Sequence, residues 1–252
     1  FKTTSTAVLD SAVIDVKATD FKVTGGATLN AGSSALITLN AIDTNGNIDA
    51  NYVGDKALVF SGSNPSPSGT KAVATVASTA EFAASYGATT PTLVVPFAAG
   101  LNSSNVNITL YKAEVAMIKV YDAVGPYGAS IGTIDANALQ IIVSGGAAYQ
   151  LFWKTPPVAK AAAGSPWKEF VVSVTDAYGN TAPSSLNVTV TPTGGNLDPA
   201  GTNTVVAVAG EAHFTNFRTT AGTYPAAVFV TGTAPGISIN TGQNGPVTLE
   251  QN

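Results

Sequence analysis

The stretch Asp43-Thr44-Asn45-Gly46-Asn47-Ile48-Asp49 carries an oxygen-bearing side chain at every second position. A loop that wraps a hard cation uses that spacing, because Ca2+ takes six to eight oxygen ligands. Asp43, Asn45, Asn47 and Asp49 are therefore the candidate metal ligands of this chain, with Ca2+ as the candidate cofactor. The EF-hand pattern also needs Gly at its sixth position and a bidentate Glu at its twelfth. Ile48 and Gly54 stand there instead. The same stretch suits a tight turn, in which Gly supplies positive φ, Asn tolerates left-handed geometry and Asp caps backbone N–H groups. The missing ligands favour the turn.

Other chemistry is sparse. His213 is the single histidine, so no second imidazole can join it in a metal pair. One histidine can still act as a base, but "GEAHFTNF" alternates as a strand does. Glycoside hydrolysis needs two carboxylates across a cleft. The 15 acidic residues are scattered, and spacing gives Glu114, Glu169, Glu211 and Glu250 no partner. No catalytic residue is assigned, and the chain is expected not to be an enzyme.

The segments that position these residues are short, β-branched and bounded by Gly, Pro and Asn. "SALITLNAI", "KALVF", "AMIKVYD", "ALQIIVS", "EFVVSVTD" and "LNVTVTP" are examples. That pattern predicts an all-β sandwich. "STAEFAASYG", residues 78–87, is the one stretch that suits a short helix. Alternation puts Tyr149, Leu151 and Trp153 on one face of a strand and Phe152 on the other, which makes Trp153 a core residue. Trp167 follows Pro166 in a loop and Tyr178 sits in a turn. These two are the candidate ligand-binding or interface aromatics; a flat pair of them would suit sugar rings, but a core or interface role is favoured because sandwiches often use Trp as core filler. Asn102, Asn107 and Asn187 head Asn-x-Ser/Thr sequons and are candidate glycosylation sites.

Composition narrows the class. Only 10% of the 252 residues are charged and none is Cys, against roughly 25% charged in ordinary soluble domains. Thr, Ser, Asn and Gly must supply the polar surface, a profile that suits an extracellular, cell-surface protein. With net charge −4 and a single arginine, Arg218, the clustered cations of a nucleic-acid surface are missing. No apolar run approaches the ~20 residues of a membrane span. Absent cysteine excludes disulfides and thiolate metal sites. The opening "FKTTSTAVLD" lacks both a leader and the long apolar helix of a type IV pilin, so a mature or trimmed chain is expected.

The chain also repeats itself. "AGSSALITLNAIDTNGNIDANYVGDKALVFSGSNPSPSG" aligns with "AGSPWKEFVVSVTDAYGNTAPSSLNVTVTPTGGNLDPAG". Asp43-x-x-Gly46-Asn47 falls on Asp176-x-x-Gly179-Asn180, while Asn45 falls on Tyr178 and Asp49 on Ala182. Only the residues a turn requires are common to both, which again weighs against a cation site. The division falls at Gly145-Gly146, giving repeat one at 13–145 and repeat two at 146–252. The excess in repeat one lies near 61–95 and is expected to be a decorated loop. Residues 1–12 form an arm with a surplus strand. An unpaired edge must be covered or paired, and the arm is expected to pair in cis or to be donated to a neighbouring subunit.

"FVVSVTDAYGNTAPSSLNVTVTP" resembles the bacterial immunoglobulin-like repeats of invasin- and intimin-type surface proteins, and is similar to filamin-like repeats of large bacterial surface proteins. "AAYQLFWKTPPVAKAAAG" resembles the first strand and connector of such units. The resemblance covers most of 147–252 and about half of 13–145. It implies two tandem immunoglobulin-like β-sandwich domains in a structural subunit of an extracellular assembly. That assembly would be a filament, a pilus-like fibre or a surface layer, with a homo-oligomer or polymer as partner. The alternative it implies is an adhesin or carbohydrate-binding segment that meets a glycan or another cell-surface ligand.

Overall fold

The computed structural model describes residues 17–77, 79–81, 92–122, 124, 130–158, 160–193, 196–220, 227–233, 238–239 and 247–250. The chain is all-β, built of sandwich-like sheets with one short 3-10 turn at Asp135–Asn137 among the described residues. No described helix is long and apolar enough to cross a membrane. The expected arm at 1–12 lies outside the described residues.

Alternation builds the first set of sheets. In Ser34–Ile42 every second side chain is buried, with Ala35, Ile37, Leu39 and Ala41 pointing inward. This strand pairs antiparallel with Asp20–Gly25 on one side and with Val106–Thr109 on the other. The facing layer runs Thr28–Asn30, Leu139–Ser144, Val115–Asp122, Gly54–Ser61, Leu93–Ala98. The two layers join through the hairpin of Leu93–Ala98 and Leu101–Asn102, which turns at Ala99 and Gly100, both at positive φ. Between the layers lies one apolar cluster that includes Phe21, Tyr52, Phe60 and Phe97.

A second cluster forms around Trp167, Phe170, Phe214 and Phe217. Phe170 and Phe214 stack with ring centroids 5.0 Å apart. The sheets around it repeat the first arrangement. Gln150–Thr155 pairs antiparallel with Phe170–Thr175, as Asp20–Gly25 does with Ser34–Ile42. Lys160–Ala162 pairs parallel with Val247–Glu250, as Thr28–Asn30 does with Leu139–Ser144.

Two expectations change here. The helix suggested at 78–87 is not formed where the chain is described: Thr79–Glu81 is a strand on Val73–Val76, and 82–87 lie outside the described residues. Cross-strand pairing supplies backbone hydrogen bonds that a short isolated helix could not match. The expected loop at 61–95 is likewise partly sheet, since Val73–Val76 extends the first layer through Val106–Thr109.

Candidate functional site

The Asp-x-x-Gly-Asn turns are built alike. Asp43 N–H donates to Asn47 O at 2.8 Å and Asp176 N–H to Asn180 O at 2.9 Å. Asp43 Oδ1 accepts the N–H groups of Asn45 and Asn47, and its Oδ2 accepts Asn47 Nδ2. Asp176 does the same with Tyr178 and Asn180. Gly46 and Gly179 take φ of +85° and +82°, the left-handed geometry that glycine adopts without strain. The Asn47 side chain and backbone N–H hold the Asp43 carboxyl below the usual carboxylate range.

The carboxylates of the candidate Ca2+ ligands Asp43 and Asp49 are engaged in hydrogen bonds. The oxygens of Asp43 are turned onto the turn itself. Asp49 is buried, and its carboxylate accepts Ala18 N–H at 2.9 Å and Asn51 N–H at 2.9 Å. Among the described residues no cluster of three His, Cys, Asp or Glu side chains is arranged to hold a metal.

What separates the two turns is their surroundings. Thr44, Asn45, Gly46 and Asn47 are exposed, whereas Asp176 and Asn180 are buried. The second turn is covered by repeat one. Asn180 Nδ2 donates to Tyr111 O at 2.7 Å, and Asn180 Oδ1 accepts Ala113 N–H at 2.8 Å. Ser68 N–H donates to Tyr178 O at 3.0 Å. The Tyr178 ring meets Tyr111 edge-on at 4.8 Å and lies against Gly32, where an added Cβ would come within 2.5 Å of its hydroxyl. Gly146 N–H donates to Asp176 Oδ2 at 2.8 Å. A Cβ on Gly145 would fall 2.1 Å from Thr181 O, so the Gly-Gly step is what lets the backbones approach. The joint is a contact of backbone, amide and ring.

Each turn borders a groove. The groove of repeat one has a volume of about 490 Å³ and is lined by Asp20, Ile42 and Gly46 among others. That of repeat two has about 290 Å³ and is lined by Gln150, Thr175 and Gly179 together with Pro67 and Ser68 of repeat one. The pairing registers Asp20↔Ile42 and Gln150↔Thr175 make the two grooves equivalent.

The other expected residues are placed as follows. Trp167 is 2% exposed, packed against Phe217 at 5.0 Å, because the loop after Pro166 turns into the second core. Tyr178 is half-buried in the joint. Trp167 thus lies in the second core and Tyr178 against Tyr111 of repeat one, and they form no flat surface pair. Among the described residues, the exposed large aromatics are Tyr149 and Phe152 at 55% and 58%. Trp153 is half-buried and edges onto Phe170 at 5.9 Å. Asn102 is spent structurally: its Oδ1 accepts Leu39 N–H at 2.7 Å and its Nδ2 donates to Ser104 O at 2.7 Å. A glycan would have to attach at the Nδ2 that makes the second of these bonds. Asn107 is half-exposed and Asn187 exposed.

His213 lies in the strand Glu211–Phe214 and faces solvent. Its Nδ1 is 2.7 Å from Glu169 and its Nε2 3.6 Å from Glu211, which also pairs with Lys154 at 2.5 Å. Sequence spacing gave no sign of this group, because Glu169 lies 44 positions from His213. It is an exposed charge cluster on a sheet face. Glu114, also without an evident partner in sequence, accepts from Asn64 and Ser63 and pairs with Lys112.

No protein-family model and no curated protein matches the chain. Among solved structures, the FdeC adhesin of Escherichia coli aligns over 94% of this chain and 66% of its own, at 18% identity and a TM-score of 0.34. The adhesin InvE of Yersinia pseudotuberculosis aligns over 91% of this chain and 59% of its own, at 14% identity and 0.30. A β-glycosidase from Bacteroides vulgatus aligns over 92% of this chain and 24% of its own, at 8% identity and 0.34. The chain thus spans about a quarter of that enzyme and less than two thirds of either adhesin. Adhesins and an enzyme match at similar scores, so the likeness does not separate one function from another.

Proposed function

We propose that this chain is a non-enzymatic structural segment of an extracellular, cell-surface assembly: a filament, a pilus-like fibre or a surface layer. It consists of two immunoglobulin-like units, 13–145 and 146–252, held as one strut. The observation that carries this is the locked joint. Asn180 reaches two backbone groups of repeat one, and Tyr178 packs on Tyr111 and Gly32. Such a contact resists hinge motion, which suits a spacer better than an enzyme whose cleft must open. Low charge and abundant Thr, Val and Ala suit close packing outside the cell. Donation of the 1–12 strand to a neighbour remains part of the proposal, and deleting it should leave folded monomers that assemble poorly.

Electron microscopy of the native protein, with surface labelling of the source cells, tests this function. Filaments or sheets at the cell surface support assembly. Intracellular protein, or a soluble enzyme activity lost on His213→Ala, would sink it.

An adhesin or carbohydrate-binding segment is the second reading. Exposed Phe152 favours it, beside the Gln150 and Thr175 that line the smaller groove. Glycan binding that disappears in Phe152→Ala, with folding intact, would select it.

A further inference from the structure

The groove of repeat two holds a loop of repeat one against its turn, whereas that of repeat one is flanked by Ile134 and Asn137, which bond Asp20, and no described loop covers its turn. The loop is Ser66–Thr70, which lays Pro67 and Ser68 against Gly179 and donates Ser68 N–H to Tyr178 O at 3.0 Å. It carries the pattern Pro-x-Gly-Thr. The sequence holds that pattern twice, at 67–70 and at 199–202.

The second loop shares one backbone bond with the first, although Gly69 takes φ of +86° and Gly201 lies outside the positive-φ region. Gly69 N–H donates to Ser66 O at 2.8 Å, and Gly201 N–H to Asp198 O at 2.9 Å. The glycine behind each loop also matches. Gly32 N–H donates to Leu110 O and Gly164 N–H to Thr219 O, both at 2.8 Å. Against Gly32 sits the Tyr178 ring. Beside Gly164 a Cβ would meet only Asp198, at 3.9 Å. Pro199 and Ala200 are exposed. Among the described residues, one molecule therefore presents uncovered counterparts of both halves of its own internal joint, on different repeats.

We propose that the groove beside Asp43–Asn47 takes the Asp198–Thr202 loop of a second molecule of this chain, so that molecules add head to tail. This inference deepens the assembly reading above and rests on it. The contact joins two different patches, so it is heterologous and extends into a filament unless its rotation closes a ring. It is weaker than the internal joint. Asn45 stands where Tyr178 supplies its ring, and no Gly-Gly link holds the partners at the roughly millimolar effective concentration of a short tether.

The full chain has no cysteine, so single substitutions give unique handles. Molecules bearing Asn45→Cys are mixed with molecules bearing Ala200→Cys, at protein concentrations approaching the millimolar range, and treated with a short bismaleimide. The mixed pair is expected to cross-link at least several-fold more than a control pair of Val94→Cys with Ala200→Cys. Both handles lie on exposed turns, and thermal melts check that each variant is folded. Unsubstituted protein supplies an independent readout: its sedimenting mass should rise with concentration, and Asn45→Tyr should raise it further by restoring a ring.

A mixed-pair yield no higher than control overturns the inference. So does a preference of Asn45→Cys molecules for one another, which would mean a symmetric contact. Protection of the introduced thiol in isolated Asn45→Cys monomers overturns it too, since part of the same chain would then cover the groove. If cross-linking fails while native filaments are seen, this inference falls and the assembly reading stands. If cross-linking succeeds on a protein found inside the cell, the reverse holds.

Discussion

Asn180 Oδ1 accepts the N–H of Ala113 at 2.8 Å, across the joint between the repeats. The same side chain donates to Tyr111 O at 2.7 Å and to Asp176 Oδ2 at 2.8 Å. Its counterpart Asn47 bonds only within its own exposed turn among the contacts described. Asn180→Ala strands a backbone donor and acceptor, which costs about 1–3 kcal/mol when they are buried. Asn47→Ala should cost less, since water replaces its bonds. Urea melts of both variants check the order. Small-angle scattering should show a broader spread of shapes for Asn180→Ala alone.

Trp167→Ala is expected to destabilise the protein by roughly 3–5 kcal/mol, the cost of emptying a large aromatic from a packed core. The ring contacts Phe217 and Phe170, so the loss should appear as a lower urea midpoint. A surface sugar platform would predict the opposite: unchanged stability and lost glycan binding.

The fate of Trp167 marks the boundary of what sequence conveys. Alternation identified Ser34–Ile42 because period two is local. It also placed Phe152 outside and Leu151 inside. Trp167 follows a proline in an aperiodic stretch, so no period could assign its face. The repeat revealed that Asp43–Asn47 and Asp176–Asn180 are the same turn. It did not reveal which one is covered, since the cover comes from Ser66–Thr70 and Tyr111–Ala113, far away in sequence. For the same reason Val73–Val76 looked like loop: its partner is Val106–Thr109, and its own flanks are Ser- and Pro-rich. His213 and Glu169 met only once two strands were in register.

Stability should fall at both ends of the pH scale. Burial pulls the Glu114 carboxyl up, but the Asn64 amide, the Asn64 N–H and Lys112 outweigh it and hold the group below its usual range. A depressed folded pKa contributes stability above the unfolded value of about 4.3 and loses it as pH falls through the folded value. Glu114→Gln should therefore flatten the acid limb of a melting-temperature profile. Burial, then the hydrogen bond to Asp122, pushes the Tyr52 hydroxyl far up. The unfolded chain ionises this phenol near pH 10 and the folded one resists, so stability declines as pH rises beyond about 10. Tyr52→Phe should be less stable at neutral pH and less sensitive to alkali.

Calcium should leave the melting temperature unchanged. The Asp43 carboxylate is engaged by Asn45 and Asn47, and that of Asp49 by Ala18 and Asn51. Bringing the two together would break buried hydrogen bonds. A calcium-dependent rise that vanishes in Asp49→Ala would overturn this.

Gly145→Ala tests the joint without touching its hydrogen-bonding side chains. The new methyl would sit 2.1 Å from Thr181 O, with Ala182 Cα 3.2 Å away. Both are backbone atoms, so no side-chain rotation relieves the clash and the two repeats must move apart. Overpacking of this kind costs about 1–3 kcal/mol. The cores around Phe21 and Phe170 lie away from the substitution and should keep their own packing. The expected result is therefore selective. Amide exchange should quicken at Ala113, whose N–H group bonds across the joint, and at Gly146 beside the substitution. Protection in Ser34–Ile42 and Phe170–Thr175 should stay near that of the parent protein. Uniform loss of protection would instead mean that the joint and both cores unfold as one cooperative unit, and that the strut has no independent halves.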